Sequence, residues 1–88
     1  MKIVEGFKLR KLGRENIIVG EGLNQVNFNK MISLNETAAF IWNNVVGTEF
    51  TKEDIVELLF EHYDVTRETA AKDVDVLIEK WKEAGLLA

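Results

Sequence analysis

Ser33-Leu34-Asn35-Glu36-Thr37-Ala38-Ala39-Phe40-Ile41-Trp42-Asn43-Asn44-Val45 carries a single apolar stripe at helical spacing. Leu34, Ala38, Ile41, Trp42 and Val45 recur at steps of 4, 3, 1 and 3 residues. Such spacing gathers apolar groups onto one side of an α-helix, whereas a strand would alternate them with a period of two. Ser33 followed three residues later by Glu36 fits a capping box, with Asn35 as the alternative N-cap. Gly47 suits the left-handed residue that closes such a helix. The stretch predicts a first helix with a buried face centred on Trp42.

Two more helices follow. Thr51 and Asp54 form a capping-box-like start, after which Ile55, Leu58, Leu59 and His62 fall on one face. Asp64 and Thr66 break that helix and begin the next. In the third, Ala70, Val74, Leu77, Ile78 and Trp81 form the buried stripe, and Gly85 is placed to end it. Leu86 and Leu87 are then expected to pack back on the domain.

Upstream the period changes. Phe7 and Leu9 alternate with Lys8 and Arg10, and Ile17-Ile18-Val19 is a β-branched run, so strands are expected over 7–12 and 15–20. The turn-like Gly13-Arg14-Glu15-Asn16 joins them into a hairpin. Gly20, Gly22 and Asn24 interrupt the second strand. A third strand is expected within 26–33, centred on Met31-Ile32. The order β-β-β-α-α-α predicts an α+β domain, a three-stranded antiparallel sheet beside a small helical bundle. The 88 residues fit one domain, 1–88, with 1–6 as a flexible N-terminal segment. A core this small supplies roughly 3–5 kcal/mol, so a partner or homodimer contact would add materially to stability.

Composition narrows the function. The chain has no Cys, which removes disulfides and thiolate metal sites. Residues 1–13 hold no apolar run of signal-peptide or membrane-span length, so the expected location is cytoplasmic. The net charge of −4 is unevenly spread: residues 1–33 hold six basic against three acidic side chains, and 34–88 hold five against twelve. An acidic helical half repels nucleic acid, while the basic first third would attract an acidic segment. His62 is the only His and Ser33 the only Ser. His62 reads as a helix C-terminal residue and Ser33 as a helix cap, so no catalytic group is assigned. The acidic side chains read as solvated helix faces, and the glycines match no phosphate-binding loop. No metal and no cofactor are expected. Trp42 and Trp81 lie on apolar stripes and read as core.

The segment Leu34 to Trp42 resembles the "LNETAAxIW" signature of the PqqD-like family, the RiPP recognition elements. Gly47, Thr51 and Asp54-Ile55-Val56 are similar to that family's second-helix start, Tyr63-Asp64-Val65 to its "YDV" link, and Asp73-Val74, Leu77 and Ala84-Gly85-Leu86-Leu87 to its closing "DV…L…aGLL". The likeness runs in order over 7–87, densest over 34–87; the N-terminal half matches by pattern alone. The resemblance implies a winged-helix-like, non-catalytic domain. It also implies that the chain binds the leader of a ribosomally made precursor peptide and presents it to a peptide-modifying enzyme, often a radical SAM protein, as in pyrroloquinoline quinone synthesis. In that family the leader adds as a strand to the third strand and lies against the third helix.

On this chain the implied peptide-binding site comprises Lys30, Met31, Ile32 and Ser33 on the strand, and Thr69, Asp73, Val76 and Lys80 on the helix. Sheet edges carry unpaired N–H and C=O groups that an extended peptide satisfies. Val76 is apolar outside the main stripe, as a groove wall requires, although a single surface Val is also ordinary. Two other classes share the pattern: a winged-helix nucleic-acid-binding regulator, and a structural or oligomerising subunit. The charge of the third helix separates the first, since Arg67, Lys72, Lys80 and Lys82 face five acidic residues there. The expected result is no sub-micromolar duplex binding at physiological salt in a filter assay; tight binding with a steep salt slope would make the chain a nucleic-acid regulator.

Overall fold

The computed structural model describes residues 1–20 and 32–88. Its elements are β1 (Phe7–Leu12), β2 (Glu15–Gly20), β3 (Ile32–Leu34), α1 (Glu36–Val45), α2 (Lys52–His62) and α3 (Arg67–Glu83). This is the α+β order expected from the sequence. Among the described residues no helix is long and apolar enough to cross a membrane.

The hairpin forms because its two strands alternate and its turn contains a glycine where one is needed. Gly13 has φ +63° and Arg14 does not enter the left-handed region, the pattern of a two-residue type II′ turn whose twist suits the strands. Phe7 pairs opposite Gly20 and Leu12 opposite Glu15. β3 joins antiparallel on the other side of β2, with Ile32 opposite Ile18 and Leu34 opposite Asn16, giving the order β1-β2-β3. Leu9, Ile18 and Ile32 thus form a cross-strand row that packs on the helices.

The strand-to-helix junction differs from its sequence reading. Leu34 belongs to β3, although its side chain joins the core as expected. Ser33 is not a helix cap; it is an exposed strand residue paired opposite Ile17. The pairing with β2 holds the backbone extended through Leu34, so the cap falls to Asn35, whose Oδ1 accepts the Ala38 N–H at 2.8 Å. Of the strand expected within 26–33, residues 26–31 lie outside the described residues.

The other helix ends follow their signals. Thr51 and Asp54 complete a reciprocal capping box. Thr66 Oγ1 caps α3 by accepting the Thr69 N–H at 3.1 Å. After α3, Gly85 has φ +77°, its N–H donates to Lys82 O, and the Leu86 N–H donates to Trp81 O. This Schellman geometry turns Leu86 into the core. Residues 1–4 pack against that returning tail: the Val4 N–H donates to Leu86 O, the Ala88 N–H to Lys2 O, and Ile3 is buried.

At the centre, Trp42 of α1 and Trp81 of α3 meet edge to face, with ring centroids 5.5 Å apart at 78°. Trp42 is 1 % exposed. Removing its ring leaves a large cavity that backbone relaxation does not fill, at a cost of about 3–5 kcal/mol. Urea titration of Trp42→Ala should therefore show little or no folded baseline. A cooperative transition near that of the unaltered chain would contradict the central place given to this ring.

Candidate functional site

Two features meet at one end of the helical layer. The first is the outer edge of β3. β2 is its neighbour on one side, and no described strand pairs on the other. The second is a half-open groove of about 450 Å³ lined by α1, α3 and the end of α2. Asn35, the residue directly after β3, lines this groove, so β3 leads into it.

The walls are built by different local rules. From α1 come Thr37, Ala38 and Ile41, where the stripe carries Ala38 one turn before Trp42. From α3 come Val74 and Leu77, with Asp73, Val76 and Lys80 along the rim. These rim positions share one face because they are separated by three and four residues. Leu59 of α2, then Tyr63 and Val65 of the link, complete the lining. The link is stiffened by backbone bonds from the Tyr63 N–H to Leu59 O and from the Val65 N–H to Tyr63 O, each 2.9 Å. Phe40 buttresses it, meeting His62 edge-on at 4.8 Å and Tyr63 at 5.9 Å.

The far side of α3 is pinned to α2 by polar contacts. Arg67 donates to Glu57 through Nε and Nη2 at 2.9 and 3.3 Å and stacks over Phe60 at 4.2 Å. The hydrogen bond to Glu57, and then its negative charge, push the Arg67 guanidinium above its ordinary range; Arg67 is cationic at any working pH. Lys52 Nζ of α2 lies 2.8 Å from Asp75, and Lys72 lies 3.9 Å from Glu68. Asp73 and Lys80 are the charged residues of the groove lining, and neither forms an ion pair among the described residues.

The sequence-derived residues distribute unevenly over this geometry. Asp73, Val76 and Lys80 do share the groove, and Val76 is 56 % exposed. Thr69 lies outside the lining; its backbone N–H and hydroxyl are bonded to Thr66 Oγ1 at the α3 cap. Ile32 is half-buried on the inner face of β3 and Ser33 is exposed on the outer. Lys30 and Met31 lie outside the described residues. Ser33 and His62 sit on different elements, with the His62 ring against Phe40. Sequence reading missed Asn35, Thr37, Ala38, Ile41, Leu59, Tyr63, Val65, Val74 and Leu77 as groove residues. One signal was available: Leu77 is the stripe member nearest the Asp73–Lys80 face, and it proves half-buried instead of fully enclosed.

The profile of the family described as coenzyme PQQ synthesis protein D (PqqD) matches residues 13–87. No curated protein matches the chain in sequence. Two solved structures share the fold. TbiB1 in complex with the TbiA(beta) leader peptide superposes with a TM-score of 0.77 at 20% identity, covering 99% of this chain and 94% of that one. Lasso peptide synthetase B1 complexed with the leader peptide superposes with a TM-score of 0.75 at 20% identity, covering 99% and 95%.

Proposed function

The chain belongs to the coenzyme PQQ synthesis protein D family, and from that premise we propose that it is a non-catalytic recognition element for the leader of a ribosomally made precursor peptide. It holds the leader extended and presents the rest of the precursor to a peptide-modifying enzyme, of the radical SAM type. The encounter takes place in the cytoplasm, where the precursor is made.

The observation that carries this reading is the edge of β3, unpaired by any described strand, running into a groove walled by α3. A strand added to β3 satisfies the edge amides and carbonyls. Because side chains alternate across a strand, its residues beside Ile32 and Leu34 extend the Leu9–Ile18–Ile32 row and turn toward the helices, where the groove accepts them. Main-chain bonds supply affinity for any extended peptide, and the groove supplies selectivity. The leader complexes of TbiB1 and lasso peptide synthetase B1 support the same ligand class for this fold. Ordering a flexible leader offsets part of the gain, so the affinity is moderate.

An NMR titration tests the site, using the leader of a precursor encoded beside a peptide-modifying enzyme. Shifts should concentrate on Ile32–Leu34 and on the Asp73–Lys80 face of α3. Val76→Asp, which places a charge at an exposed position against the apolar part of the ligand, should weaken binding about tenfold or more while leaving the fold intact. Shifts confined to the β1–β2 hairpin, or unchanged binding by Val76→Asp, would place the ligand elsewhere.

A further inference from the structure

The groove is apolar in its depth but not along its α3 rim. Asp73 and Lys80 stand there on either side of Val76, and both are exposed. Neither is neutralised by an ion pair among the described residues, although other charges on the helical half are: Lys52 with Asp75, Glu57 with Arg67, Glu68 with Lys72. Glu79 and Asp75 do not line the groove; with Val76 and Lys80 they line a shallow hollow beside it, so Lys80 borders both. One end of the rim is therefore negative and the other positive, with an exposed valine between.

Resting on the leader-binding reading above, we infer that this rim selects the leader by charge order: it takes a strand with a basic residue at the Asp73 end, an apolar residue at Val76 and an acidic residue at the Lys80 end. The dimensions agree. Seven helical residues separate Asp73 from Lys80, about 10 Å along the axis. On an extended peptide, groove-facing residues recur every second position, so i and i+4 stand roughly 13 Å apart. The flexible Lys80 stem spans the difference. The motif is thus a basic and an acidic residue four positions apart, with an apolar residue midway. Because the β3 edge favours one direction of the added strand, a peptide with the reversed order brings like charges together at both ends. Specificity of this kind comes from repulsion of the wrong order as much as attraction of the right one.

The test uses two capped synthetic peptides of identical composition, Thr-Lys-Thr-Leu-Thr-Glu-Thr and Thr-Glu-Thr-Leu-Thr-Lys-Thr, titrated by NMR into the full chain. One should bind about tenfold more tightly than the other at low salt, and the ratio should shrink at high salt because exposed pairs are screened. Asp73→Lys combined with Lys80→Asp should reverse the preference. Asp73→Asn combined with Lys80→Gln should abolish it, which keeps the test sound if the reversed variant folds poorly. Equal binding of both peptides at β3 and α3, or a preference that survives the reversal, would overturn the charge order while leaving the leader site standing. Failure of both peptides to perturb β3 or α3 would overturn the site and the charge order together.

Discussion

The edge-to-face contact of Trp42 with Trp81 is the constraint on which the rest of the molecule depends. Each ring is the largest group on its helix's apolar stripe, and both are almost fully enclosed. Their packing sets the separation of α1 from α3. One turn earlier on each helix the stripes carry Ala38 and Leu77 in place of indoles. The space that the rings fill at the centre is left open there, and it is the groove. The tryptophan contact and the groove are thus consecutive turns of the same two helices. In a domain of 88 residues, where the core has little to spare, that economy matters.

The second constraint is the junction of β3 with α1. Asn35 ends the strand and caps the helix, and it also lines the groove. No residue of β1, which forms the sheet's other edge, lines it. Among the described residues the β3 edge is the one that leads to this groove, so a peptide there meets side-chain pockets along with backbone partners.

The periodicities of the sequence reveal the hairpin, the three helices and both tryptophans, because each depends on residues within a turn or two of one another. The junction was less legible. Leu34 lies four residues before Ala38 and reads as part of the α1 stripe, yet a buried strand end has the same composition. Ser33 and Asn35 are both good caps, and the choice between them is made by the Ser33–Ile17 pairing, a contact across the sheet that local sequence does not encode. The docking of Ile3 beside Leu87 depends in the same way on two distant segments. At the groove, the helical face bearing Asp73, Val76 and Lys80 follows from spacing alone. The opposing wall from Asn35 to Ile41, and Tyr63 in the α2–α3 link, depend on how helices are set against each other. Thr69 shares the helical face of the rim but lies too near the α3 N-terminus, where the cap claims it.

The account's central claim is that a peptide strand completes the sheet at β3 and nowhere else. Amide hydrogen exchange within Ile32–Leu34, measured with and without leader peptide, tests it most directly, since among the described residues no strand pairs with the outer edge of β3. The account predicts that outward-pointing β3 amides become protected on peptide addition while the Phe7–Leu12 amides keep their rates. Unchanged exchange at β3, or protection gained along Phe7–Leu12 instead, would contradict it.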